Sequence, residues 1–144
     1  MPDLNPYLTF NGNCEEAFNF YKSVFGGEFI YMGRFKEMPP EAKVPDSEKE
    51  LILHVSLPIG KNSILMGSDT SESFGKAVNF GNQISISVST SSREETEKLY
   101  KSLSEGGNIL MPLGDMFWGA YFGMCKDKFG INWMLNYDKP EAKQ

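Results

Sequence analysis

His54 is the one histidine in the chain, and it sits in a run of alternating apolar and polar residues, Leu51-Ile52-Leu53-His54-Val55-Ser56. An imidazole titrates near neutrality, so it suits a general base or a hydrogen-bond donor facing a ligand. The alternative is a satisfied strand histidine that only shapes a sheet. Cys14 and Cys125 are the two cysteines, too few for a disulfide framework or a paired-cysteine zinc site. Cys14 falls at a helix start, where the dipole favours a thiolate; a small half-buried cysteine is the plainer reading. Cys125 reads as mid-strand core. Asp115 and Asp127 frame a glycine- and aromatic-rich stretch, and both suit turn duty, with Asp115 also placed to hydrogen-bond a ligand. Trp118 lies in a loop bounded by Gly114 and Gly119, beside Phe122. It can wall a pocket for a planar ligand or plug a packing junction. Trp133 precedes Met134 on a strand, so the two side chains should point to opposite faces, Trp133 into a helix layer.

The elements that must position these groups come in duplicate. The segment Glu15-Glu16-Ala17-Phe18-Asn19-Phe20-Tyr21-Lys22-Ser23-Val24 aligns with Glu94-Glu95-Thr96-Glu97-Lys98-Leu99-Tyr100-Lys101-Ser102-Leu103, sharing both glutamates, the tyrosine, the lysine and the serine. Each runs on to a glycine pair, Gly26-Gly27 and Gly106-Gly107. A repeat about half a chain apart means a duplicated module. Both segments predict helices, Cys14–Phe25 and 93–105. Asn13 with Glu16, and Ser92 with Glu95, have capping-box spacing. Ala17, Phe20, Tyr21 and Val24 recur at helical spacing, and the glycines offer a left-handed stop.

Strand patterns flank each helix: Tyr7–Phe10, 28–35, 51–57 and 63–68 around the first, and 83–88, 108–113, 120–126 and 131–137 around the second. Each half is then β-α-β-β-β. Residues 37–50 hold three prolines and many charges and form an exposed loop with room for a helical turn. Residues 69–82 link the halves. Alternation assigns faces. Leu51, Leu53 and Val55 should point inward, with His54 and Ser56 on the polar side. Ile84, Ile86 and Val88 should meet the second helix, leaving Gln83, Ser85 and Ser87 to face a cleft.

Bulk properties exclude several classes. The chain has 144 residues, 40% apolar, with a net charge of −5. Nucleic acid is a poor partner for a chain without a basic stripe. No stretch approaches the roughly 20 apolar residues of a membrane span. The start, Met1-Pro2-Asp3-Leu4-Asn5-Pro6, lacks the basic and apolar regions of a signal peptide, so a cytoplasmic location is expected.

The opening Pro6-Tyr7-Leu8-Thr9-Phe10-Asn11-Gly12-Asn13-Cys14-Glu15-Glu16-Ala17, with Phe20-Tyr21 and Phe25-Gly26-Gly27, resembles that of PhnB-like proteins. Gly114-Asp115-Met116-Phe117-Trp118-Gly119, Gly123 and Asp127-Lys128-Phe129-Gly130-Ile131-Asn132-Trp133-Met134 are similar to their closing signature. These proteins are a branch of the glyoxalase/bleomycin-resistance (vicinal oxygen chelate) superfamily, and the likeness runs from about Pro6 to Asn136. It implies an α+β fold in which two βαβββ modules form curved mixed sheets around a cleft, usually in a homodimer. The domain would span 1–138, with modules at about 5–69 and 82–138 and a polar tail at 139–144. Some members carry a name derived from a ubiquinone-biosynthesis methyltransferase, but no glycine-rich loop after a strand is present here to hold a nucleotide-like cofactor.

In metal-dependent superfamily members, four strands each offer one His, Gln or Glu to a divalent cation. The resemblance places those positions at Asn5 (Tyr7 if the register slips), Leu65, Gln83 and Met134. Two amides and two apolar side chains are a poor donor set for a hard cation, so no metal and no cofactor is expected. The expected function is binding of a small molecule in the cleft, using Asn5, Tyr7, His54, Leu65, Gln83, Ser85, Trp118, Phe122 and Met134. Two alternatives remain: a superfamily enzyme of lyase, isomerase or dioxygenase type with a displaced metal site, for which His54, Gln83 and Asp115 are the available groups, and an antibiotic-sequestering resistance protein.

Overall fold

The computed structural model describes residues 2–71 and 78–140. The chain divides into two units, Met1–Asn79 and Phe80–Gln144. The first contains β1 (Tyr7–Phe10), α1 (Cys14–Phe25), β2 (Tyr31–Arg34), β3 (Ile52–Ile59) and β4 (Ser63–Asp69). Short 3₁₀ turns at Phe35–Glu37, Pro40–Ala42 and Asp46–Glu48 fill the proline-rich stretch between β2 and β3. The second contains β5 (Ile86–Ser89), α2 (Arg93–Ser104), β6 (Asn108–Asp115), β7 (Ala120–Lys126) and β8 (Asn132–Asp138). The sheets have orders β1-β4-β3-β2 and β5-β8-β7-β6. In each, the first strand runs parallel to the last and the other neighbours are antiparallel. The outcome is the expected α+β arrangement, two βαβββ modules with mixed sheets.

One face of each sheet is covered by its helix. In the first unit, Cys14, Ala17, Phe18 and Tyr21 of α1 are buried, together with Phe10, Ile52, Val55, Leu57 and Leu65 from the strands. Phe18 meets Phe10 and Tyr21 edge-on, with centroids 6.2 and 5.5 Å apart. Each such side chain contributes about 1.5–3 kcal/mol by leaving water. Gly67 lies under Phe18, where a Cβ would come within 2.6 Å of the ring and 2.8 Å of the Leu8 carbonyl. In the second unit, Thr96, Tyr100 and Leu103 are buried, with Tyr121, Cys125, Trp133 and Leu135 from the strands.

The helix starts differ from expectation in an informative way. Asn13 makes no side-chain cap. Asp69, the last residue of β4, takes that part: its Oδ1 accepts from the Gly12 and Cys14 amides, both at 2.9 Å, and its Oδ2 from the Ile52 amide at 2.9 Å. A carboxylate reaching across from another strand satisfies two amides at the helix entry, where the Asn13 amide side chain would satisfy one. At α2 the local cap forms as read: Ser92 accepts from the Glu95 amide at 3.0 Å. The reciprocal bond goes one residue further back, from the Ser91 amide to Glu95 at 2.8 Å.

Three strand-face expectations are corrected. A register irregularity between Gly33 and Arg34 shifts the β2–β3 alternation, so Ile52, Val55 and Leu57 are the fully buried residues of β3, not Leu51 and Leu53. β5 begins at Ile86, so Ile84 is 79% exposed and does not meet α2. Ahead of β5, Asn132 Nδ2 donates to the carbonyls of Gly81 and Ile84 at 3.0 and 3.2 Å, so this segment is bonded to a side chain. Among the described residues, no helix is long and apolar enough to cross a membrane.

Candidate functional site

The face of each sheet opposite its helix is where polar and aromatic strand residues collect. In the first unit, register aligns Tyr7 with Met66, Met66 with Ser56, and Ser56 with Tyr31, one residue from each strand in a row across the sheet. His54 pairs with Gly33 in the adjacent row. Met66 stands between Tyr7 and Ser56 in this row. Tyr7 Oη lies 3.3 Å from His54 Nδ1, and His54 Nε2 lies 3.0 Å from Ser56 Oγ. The imidazole sits between two tyrosine rings, 5.6 Å from Tyr7 and 6.0 Å from Tyr31, with interplanar angles of 33° and 36°. Tyr31 is laid over Gly33, whose Cβ position its ring and hydroxyl would occupy. The glycine is what lets this ring lie flat on the sheet. No strand residue on this face carries a formal charge.

In the second unit the corresponding face is softer and more apolar. Ser87 pairs with Met134, Met134 with Met124, and Met124 with Met111. In the next row Ser89 pairs with Asn136, Asn136 with Phe122, and Phe122 with Gly114. Trp118, 52% exposed, stands 6.3 Å from Phe122 and 5.0 Å from Phe117, both edge-on.

Several residues singled out in the sequence fall elsewhere. Leu65 is 2% exposed and shares the helix-covered face with Gly67, because Asp69 must point to α1 and alternation then turns Leu65 inward. The residue of β4 on the opposite face is Met66. Gln83 is exposed, in a bend ahead of β5, and Ser85 also precedes the strand, so Ser87 is the side chain facing Met134. Asn5 precedes β1, and its Oδ1 accepts from the Ile64 amide at 3.2 Å. Tyr7, His54, Phe122 and Met134 do lie on helix-free faces. Tyr31, Met66, Met111 and Met124 were missed; the strand alternation that singled out His54 could have found Tyr31, two residues from Gly33.

The remaining candidates make contacts within the fold. Asp127 Oδ1 accepts from the Phe129 and Ile131 amides at 2.8 and 3.1 Å, and its Oδ2 from the Trp133 indole at 2.8 Å. Asp115 pairs with Arg93 at 2.6 Å and Lys139 at 3.1 Å, which hold its carboxyl below the usual range. Cys14 is fully buried; burial, reinforced by the Asp69 charge, pushes its thiol far above the ordinary value, against the thiolate that a helix dipole favours. Burial pushes Cys125 up to about 11.

A family model described as 3-demethylubiquinone-9 3-methyltransferase matches residues 2–136. The chain belongs to this family. It is 34% identical to protein YjdN of Escherichia coli K12 over the full length of both chains. The structure of protein PA1353 from Pseudomonas aeruginosa superposes with a TM-score of 0.84 at 39% identity, covering 96% of this chain and 99% of that one. A Bacillus cereus structure described as a putative 3-demethylubiquinone-9 3-methyltransferase, PhnB protein, gives 0.76 at 28% identity, over 94% and 99%. At the level of fold alone, a glyoxalase/bleomycin resistance protein/dioxygenase family enzyme from Burkholderia phytofirmans matches at 0.59 and 15% identity, over 92% and 96%. The PhnB-like resemblance and the glyoxalase/bleomycin-resistance fold are thereby shown.

The metal that the superfamily implies can be tested against the side chains at the corresponding positions. With the register corrected, β1 and β4 present Tyr7 and Met66, and β5 and β8 present Ser87 and Met134. Neither the phenol and thioether of the first unit nor the hydroxyl and thioether of the second includes a carboxylate or imidazole, so neither pair fits a hard divalent cation. Among the described residues, no group of three or more His, Cys, Asp or Glu side chains is arranged to hold a metal ion.

Proposed function

We propose that this PhnB-like protein binds a small molecule on the helix-free sheet faces without a metal at the superfamily's position. The observation that carries this reading is the Tyr7–His54–Tyr31 group with Ser56: aromatic surface with a few convergent hydrogen-bonding atoms is the lining chemistry of small-molecule sites. The Met134, Met124 and Met111 row with Phe122 and Trp118 supports it, since thioethers adapt to varied apolar shapes. In the first unit the proposed lining loses Asn5 and Leu65 and gains Tyr31, Ser56 and Met66; in the second it loses Gln83 and Ser85 and gains Ser87.

A thermal-shift screen of small planar compounds tests the reading, because a ligand bound only by the folded state raises its melting temperature. Stabilisation that disappears in the His54→Ala variant is expected. Elemental analysis of protein purified without chelator should find less than one-tenth equivalent of zinc, nickel or manganese. A full equivalent lost on mutating His54 would restore the metalloenzyme alternative. We further propose a homodimer, supported by exposed Ile109, Leu110 and Met111 on the edge strand β6.

A further inference from the structure

The hydrogen bonds around His54 have a direction that the chemistry of the partners decides. Tyr7 Oη, His54 and Ser56 Oγ form a chain of three groups, at 3.3 and 3.0 Å. A phenol is a stronger acid and a weaker acceptor than an aliphatic hydroxyl, so it is the natural donor to an imidazole nitrogen. With Tyr7 donating to Nδ1, the ring proton resides on Nε2 and is donated to Ser56 Oγ. The Ser56 proton is then free to point away from the sheet. Chains of this kind polarise each member, strengthening the terminal donor. Ser56 stands opposite Tyr31 of β2 and Met66 of β4, and its partner His54 lies 5.6 and 6.0 Å from the Tyr7 and Tyr31 rings, so the hydroxyl and the aromatic groups share one sheet face.

Resting on the binding reading above, we propose that the first unit's face takes a planar aromatic molecule bearing a carbonyl or carboxylate oxygen. The ring would lie against Tyr31 and Tyr7, and the oxygen would accept from Ser56. The strand residues of this face carry no charge, so a ligand cation meets no strand carboxylate there and recognition of an oxygen acceptor falls to the Ser56 hydroxyl dipole.

The chain has a single histidine, so its ring nitrogens give one unambiguous pair of ¹⁵N signals. At pH 8 the Nε2–H tautomer is expected in wild type, and mixed tautomers in Tyr7→Phe. A dominant Nδ1–H tautomer in wild type overturns the donor chain. Binding is then measured by calorimetry with four probes: 2-naphthoate, 2-acetonaphthone, naphthalene and 2-naphthylmethylamine. The two oxygen acceptors should bind at least threefold more tightly than naphthalene, and the amine no better than naphthalene. Ser56→Ala should weaken the acceptors by roughly three- to tenfold, the range of one hydrogen bond, and leave naphthalene unchanged. Tyr31→Ala should weaken all the binding probes; melting curves check that each variant is folded. Probes that bind, lose affinity in Tyr31→Ala, yet ignore Ser56→Ala would overturn the inference and leave the binding reading standing. Failure of all four probes to bind would overturn the inference for this ligand class, while stabilisation by other compounds in the thermal-shift screen would keep the broader reading.

Discussion

Asp69 shows how much can depend on one side chain. It is 4% exposed and accepts from three backbone amides, at Gly12, Cys14 and Ile52. Asp69→Ala would strand these donors and should destabilise the protein by about 3 kcal/mol or more in urea unfolding. Asn13→Ala, at the position that sequence spacing nominates as the cap, should stay within about 0.5 kcal/mol, because no cap bond is lost. The cysteines give a second test at this scale. Both thiols are buried and their ionisation is suppressed, Cys125 up to about 11 and Cys14 beyond that. Native protein at pH 8 should therefore be inert to a thiol-disulfide reagent and react at both cysteines only in denaturant. In the unfolded chain a thiol loses its proton near pH 8.5 while the folded one retains it, so stability falls as pH rises above that value.

At the scale of elements, two glycines in the first sheet have opposite duties. Gly67 faces the helix, and a methyl group there would press on Phe18 and on the backbone carbonyl of Leu8. The carbonyl belongs to a paired strand and cannot yield, so Gly67→Ala should cost about 1–3 kcal/mol of stability. Gly33 faces the other way, and the nearest atoms to its methyl group would be the ring and hydroxyl of Tyr31, the far end of an exposed side chain. Gly33→Ala should leave melting within about 1 kcal/mol of wild type while weakening the aromatic probes by lifting Tyr31 off the sheet. Equal destabilisation in the two variants would contradict this assignment of faces.

For the whole molecule, the duplication visible in the helices extends to sheet order: each module places its first strand beside its last. That arrangement leaves β1 and β2 as edges in one sheet, and β5 and β6 in the other. β6 bears consecutive exposed Ile109, Leu110 and Met111, an apolar edge that a second copy of the chain would cover. Light scattering at micromolar concentration should give twice the chain mass. A monomer there, or a dimer unaffected by Leu110→Lys, would remove β6 from the proposed interface.

The sequence alone determined the modules, because the helix repeat and the period-two strands are local signals: Cys14–Phe25 and Ala120–Lys126 stand where their patterns put them. Trp133 was placed in the helix layer by its parity alone. Legibility ended where a distant residue set a strand's phase or length. Asp69 is bonded at the helix entry, with Leu65 on its face of β4 and Met66 on the other, and Asn132 bonds the carbonyls of Gly81 and Ile84 where the pattern predicts the start of β5. Both effects join residues about 50 positions or more apart. The meeting of Tyr7, His54 and Tyr31 is of the same kind. It depends on a parallel β1–β4 pairing and on the absence of a side chain at Gly33, and only the folded sheet brings those two facts to one place.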